Sequence, residues 1–179
     1  MKAILCLLIL ISLPTPSWSG QELPITAVGT YMDMRFTEEH AYGYSVELWR
    51  QGDTLFGFLL YSEGLAGDTP TGMLEDVSYD PKSGSLSFSA RLTIGLFSNR
   101  EYHGVPSRDV FRFKGRLTKG RLKGEMERSN ALTPDELPTK EKLTLKHDGE
   151  QSSEMKHLKD YGNWTSFSSK ILKFRGPKW

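Results

Sequence analysis

Residues 99–109 read Asn-Arg-Glu-Tyr-His-Gly-Val-Pro-Ser-Arg-Asp, the densest mixture of reactive side chains in the chain. An imidazole at His103, a hydroxyl at Ser107 and acids at Glu101 and Asp109 are the ingredients of nucleophilic and general-base chemistry. The spacing does not assemble them. No Gly-x-Ser-x-Gly elbow surrounds Ser107, and Ser107-Arg108-Asp109 also reads as an ordinary turn leading into a strand. A hydrolase with a loop-borne site is carried forward as the last of three readings, because nucleophile, base and oxyanion donor are not all in view. The four histidines, His40, His103, His147 and His157, have no short spacing that puts two on one face, so no metal site is expected. The glycine-rich stretch 64–72, which contains Asp68, precedes no helix and lacks a Gly-Lys-Ser/Thr ending. It reads as a flap, not a phosphate cradle, and no cofactor is expected. Glu75 and Asp76 are adjacent, so a regular strand sends them to opposite faces.

The elements that must position these residues are strands. Eight short runs follow one another, with period-2 alternation clearest at Leu86, Phe88, Ala90, Leu92, Ile94 and Leu96 against Ser85, Ser87, Ser89, Arg91 and Thr93. Tyr42, Tyr44, Val46 and Leu48 point one way in the second run. Phe111 and Phe113 do so in the sixth, Leu122, Gly124 and Met126 in the seventh, and Leu143 and Leu145 in the eighth. Connections alternate in length. Those at 50–53, 80–84 and 118–120 are tight; those at 37–41, 64–71, 98–107 and 129–140 are long. In an antiparallel meander successive connections fall at opposite ends, so the long loops share one end. Eight such strands close into an up-and-down barrel, which removes exposed edges. The expected fold is all-β, an eight-stranded antiparallel meander barrel with a short C-terminal helix packed outside.

The third run, 55–61, is apolar on both faces, with Phe56, Phe58 and Leu60 on one and Leu55, Leu59 and Tyr61 on the other. Such a strand needs cover on both sides. Trp164, Phe167, Ile171 and Phe174 share one helical face and supply that cover, with Asn163 or Thr165 as cap and Gly176-Pro177 as stop. A ninth short strand at 171–174 is the competing reading. Inward aromatics, taken to include Tyr42, Tyr44, Phe56, Phe58, Phe88, Phe111 and Phe113, leave the barrel either packed solid or with a narrow pocket at the long-loop end.

On this pattern the chain resembles the calycin group of lipocalin-like barrels. Gly29-Thr30-Tyr31 looks like a variant of the lipocalin Gly-x-Trp motif, and a helix after the eighth strand matches lipocalin organisation. The Thr-Asp-Tyr motif of that family has no counterpart at Thr118-Lys119-Gly120. The resemblance implies a carrier for an apolar ligand, held at the end with the long loops.

Composition sets the remaining bounds. Met1-Lys2 followed by an apolar run to Leu13 and by Ser17-Trp18-Ser19 has the layout of a secretory signal, too short for a span of about 20 residues. The expected organisation is a removed signal peptide (1–19), a barrel domain (20–149) and a C-terminal helical segment (150–179), secreted or periplasmic, with no transmembrane segment after signal removal. Cys6 is the only cysteine, so the exported chain has no disulfide and no thiolate chemistry. Charge is nearly balanced, at +1 overall, which gives nucleic-acid binding no support. Its distribution is uneven. Residues 25–80 are acidic, and residues 108–128 carry a basic excess.

Three readings follow. The first is a non-enzymatic binding module for a small, partly apolar ligand at the long-loop end. There Tyr42, Tyr44, Leu60, Ile94 and Phe111 supply apolar contact, and His103, Arg108 and Asp68 supply polar selection. The second is a protein–protein interaction domain with a filled core, whose basic hairpin of Arg112, Lys114, Arg116, Arg121 and Lys123 meets an acidic protein or surface. The third is the hydrolase.

Overall fold

The computed structural model describes residues 23–65, 69–97, 101–155, 158 and 160–179; the expected signal segment, 1–19, lies outside them. Eight strands run in chain order: β1 (Thr26–Phe36), β2 (His40–Gln51), β3 (Thr54–Leu65), β4 (Thr71–Asp80), β5 (Ser85–Leu92), β6 (Asp109–Leu117), β7 (Arg121–Asn130) and β8 (Thr139–Asp148). Each pairs antiparallel with the next, and β1 closes on β8. The meander is therefore a closed barrel with its long loops at one end. Two helices follow, α1 (Gly149–Glu154) and α2 (Tyr161–Arg175).

The alternation read from sequence becomes the core. Val46, Leu48, Leu86, Phe88, Leu92, Phe111, Phe113, Leu122, Met126 and Leu145 join one buried cluster inside the barrel. An eight-stranded barrel is just wide enough for its side chains to meet, and here they do. On β3 the inward face is Leu55, Leu59 and Tyr61. Phe56, Phe58 and Leu60 face outward, in a second cluster with Trp49 and Trp164. The expectation that Phe56 and Phe58 fill the interior is thus corrected. Both faces of β3 are apolar, so alternation alone could not say which one closes on the barrel. Tyr42 is also not interior: it is 45% exposed, because β2 rises past the last inward layer, and it stacks on His40 with ring centroids 6.1 Å apart.

The covering element is a helix, not a ninth strand. Asp160, not Asn163 or Thr165, is its N-cap: its side chain accepts from the Asn163 N–H at 2.7 Å. An aspartate there satisfies a free backbone donor and suits the positive helix start. At the other end the Gly176 N–H donates to the Leu172 carbonyl at 2.9 Å. Trp164 is buried against Trp49, Phe56 and Phe58 with centroids 4.8, 4.8 and 5.0 Å away. The Trp49 Nε1–H donates to the Met155 carbonyl at 3.3 Å. Burying aromatics of this size contributes about 1.5–3 kcal/mol each. Where β2 and β3 pair beneath the helix, a side chain on Gly57 would place its Cβ 1.8 Å from the Glu47 carbonyl oxygen, so only glycine permits that approach.

β5 stops at Leu92, short of the alternation that runs to Leu96. The cause is Ser107, whose Oγ accepts from the Ile94 and Gly95 N–H groups at 2.9 and 3.3 Å. That diverts donors the ladder would need. Leu96 retains a single bridge, to Pro106.

The ladders are unequal. β2 pairs with β3 along its whole length, whereas among the described residues β3 meets β4 through Phe58↔Met73, Leu59↔Gly72 and Leu60↔Thr71, extended by the Tyr61 N–H donating to the Pro70 carbonyl at 3.1 Å. β1 meets β8 through only Thr30↔Asp148, Tyr31↔His147 and Met32↔Lys146. Two short seams therefore divide the barrel into β1–β3 and β4–β8. No helix among the described residues is long and apolar enough to cross a membrane.

Candidate functional site

At the long-loop end, alternation carries ionisable groups onto the inward face one step past the last apolar residue. Arg128 follows Met126 on β7, Glu141 precedes Leu143 on β8, Glu63 follows Tyr61 on β3, and Asp109 precedes Phe111 on β6. Beneath them lies a floor of three rings. Tyr44 and Tyr61 are 4.8 Å apart, Tyr61 and Phe111 5.3 Å, and Tyr44 and Phe111 6.1 Å.

Arg128 organises the polar layer. Its Nε–H donates to Asp109 Oδ1 at 3.1 Å, and its Nη1 donates to Glu63 Oε2 at 3.2 Å and to Tyr61 Oη at 3.5 Å. Its guanidinium carbon sits 5.3 Å from the Tyr61 centroid and 5.7 Å from that of Phe111, within cation–π range. Tyr61 Oη donates to Glu63 Oε2 at 2.9 Å, Tyr44 Oη to Glu141 Oε1, and Ser107 Oγ to Asp109 Oδ2. Burial, then the hydrogen bond and charge of Glu63, push the Tyr61 phenol up to about 12, against the opposing charge of Arg128. Tyr44 is raised further, by burial first and then by Glu141. Both phenols are firm donors. Burial lowers Arg128, but Asp109 and then Tyr61 and Glu63 more than reverse this, leaving its pKa raised.

Two carboxylates, Glu63 and Asp109, thus hold one guanidinium over an aromatic floor, and Glu141 is bonded to the Tyr44 edge of that floor. Comparison with protein-family profiles, curated proteins and solved structures finds no match. The chemistry of the site rests on its own geometry.

Of the residues singled out from sequence, the structure brings Tyr44 and Phe111 together in this floor, and Ile94 packs against the same core. Leu60 is elsewhere, on the outer face beneath α2. Tyr42 stands exposed at the rim, and His103 and Arg108 are exposed on the β5–β6 loop. Asp68 lies outside the described residues. Glu63, Arg128 and Glu141 carry no role in the sequence reading, Tyr61 only a place on a strand face, and Asp109 only a place among the reactive residues of the 99–109 loop. Extending the β7 and β8 alternation by two residues past Met126 and before Leu143 would have found Arg128 and Glu141.

Two serine–histidine juxtapositions bear on reaction chemistry. Ser107 and His103 share a loop, but the Ser107 hydroxyl is given to Asp109 while its lone pairs take the Ile94 and Gly95 N–H groups. Near the opposite end, Ser152 Oγ on α1 lies 3.0 Å from His147 Nε2. It also accepts from the Thr30 N–H at 2.9 Å and donates to the Asp148 carbonyl. Gly29 makes the contact possible, since a Cβ there would lie 2.6 Å from that imidazole nitrogen. A hydroxyl so committed fastens α1 across the β1–β8 seam. Among the described residues no group of three metal-ligating side chains converges.

Proposed function

We propose that this chain is an exported, non-enzymatic β-barrel binding protein, secreted or periplasmic, that takes a small, partly apolar ligand at its long-loop end. The observation that carries the reading is the mouth: Glu63, Asp109 and Glu141 above Tyr44, Tyr61 and Phe111, with Arg128 bonded to the first two carboxylates. The buried cluster of Val46, Leu48, Phe88 and Phe113 lies inside the barrel below, so the ligand is placed across the mouth with its apolar part against the rings. Among these mouth residues the carboxylates Glu63, Asp109 and Glu141 outnumber the cation Arg128, so the favoured ligand carries a donor at its polar end, best an amine. The lipocalin likeness supports a carrier role. Tyr31 of the Gly29-Thr30-Tyr31 motif is buried toward the opposite end, with its hydroxyl donating to the Thr118 carbonyl at 3.3 Å. The apolar run before Leu13 supports export.

Titration with phenethylamine, followed by NMR shifts of Tyr44 and Tyr61, tests the proposal, with phenylacetate as counter-probe. Saturable binding of the amine, weakened about tenfold by Tyr61→Ala or Glu141→Gln, is the expected result. Equal binding of phenylacetate, or no saturation, defeats the reading.

A second reading, an interaction domain using the basic outer face of β6 and β7, has its own observation. Arg116 stands directly opposite Lys123, and Arg121 opposite Lys146. Like charges paired across strands cost stability, and an anionic partner would relieve that cost. Charge reversal at Lys123 and Arg121 should abolish a salt-sensitive pull-down, and an unaffected partner would remove the argument.

A further inference from the structure

The outer face of the barrel holds a cavity that the mouth does not use. Between α2 and strands β2–β4 lies a groove of about 340 Å³, walled by Phe58, Leu60, Phe167, Ile171 and Phe174. Phe58 is wholly buried, whereas Phe174 is 69% exposed, so the groove runs from open water to beneath the helix. Glu47 lines it, with Lys170 and Arg175 from α2. Among the described residues no hydrogen bond or ion pair reaches the Glu47 carboxylate. Burial raises its pKa, and the charge of Arg175 opposes the rise. Two cations therefore share the groove with one carboxyl whose charged form is disfavoured.

We propose that this groove binds a monoanionic amphiphile, a free medium-chain carboxylate, with its chain against Phe58, Leu60, Phe167 and Ile171 and its head between Lys170 and Arg175. The volume sits near the lower end for ligand cavities, about 300–1,000 Å³, which suits one short chain and excludes a two-chain lipid. A cationic head would meet Lys170 and Arg175 as like charges. A lipid still held in a bilayer could not pass its chain under α2 to Phe58. The site is separate from the mouth and stands whether or not the mouth binds an amine.

Isothermal titration of the mature protein with hexanoate, octanoate and decanoate, each below its micelle concentration, tests this. Each added methylene should tighten binding by roughly threefold to fourfold until the groove is full. Lys170→Glu with Arg175→Glu, both exposed positions, should weaken decanoate at least tenfold without changing the circular dichroism spectrum. Leu60→Trp, which fills the cavity, should abolish binding, and excess phenethylamine, the probe of the mouth, should leave decanoate binding unchanged. Equal binding of decyltrimethylammonium, unchanged affinity in the double charge reversal, or association only with phosphatidylglycerol vesicles would each overturn the proposal.

Discussion

The Asp109 side chain keeps 4% of its surface in water, and a carboxylate held so far from solvent depends on its partners. Arg128 is the cationic one, and removing one member of a buried pair leaves the other's desolvation uncompensated. Arg128→Met should therefore destabilise the fold by about 3–5 kcal/mol, read from urea midpoints, and Asp109→Asn in the same chain should restore part of the loss. A drop under about 1 kcal/mol would show that Ser107 alone holds Asp109. Tyr61 makes a pH prediction. Its folded phenol titrates at about 12 against an ordinary 10.0, so the fold favours the neutral form. The associated stability is complete below about pH 10 and is lost as pH rises through about 12. Phenolate absorbance should show a late step that Tyr61→Phe removes. These residues were partly legible in the sequence. Arg128 and Glu141 continue alternations already visible from Leu122 and from Leu145. His103 and Arg108 lie on an irregular loop, where no periodicity says which way a side chain points.

Among the elements, α2 is held chiefly by Trp164, wedged between Trp49, Phe56 and Phe58. Truncating a buried aromatic of that size typically costs about 3–5 kcal/mol. Trp164→Ala should cost that much and lose protection of the α2 amides in hydrogen exchange, while β5–β7 stay protected. Equal loss across the barrel would mean that the helix and barrel unfold as one unit. The sequence showed that β3 needed cover on two sides, and the Trp164, Phe167, Ile171, Phe174 spacing showed what covered it. It did not show which β3 face turned inward, and Leu60 was misplaced for that reason. α1 is six residues long, too short to leave a periodic signal. Its anchor, Ser152 on Thr30, joins residues 122 apart in the chain.

For the whole molecule, eight alternating runs and the long–short rhythm of their loops were enough to indicate closure. The two short seams were not visible, because alternation within one strand reports which face is buried and not how many residues pair with each neighbour. Each seam has a helix beside it. α1 is tied to Thr30 and His147 at β1–β8, and α2 lies over Phe58, Leu60 and Thr71 at β3–β4. Amides at these seams should exchange before those of the β2–β3 and β6–β7 ladders under native conditions, and Trp164→Ala should speed β3–β4 more than β1–β8. Uniform exchange around the barrel would show the seams to be as strong as the rest. If both seams part together, each molecule presents a three-stranded and a five-stranded sheet with four bare strand edges. Such edges pair as readily with another copy as with themselves. At high protein concentration the barrel should therefore convert to a reciprocal dimer in which β1–β3 of one chain completes β4–β8 of the other.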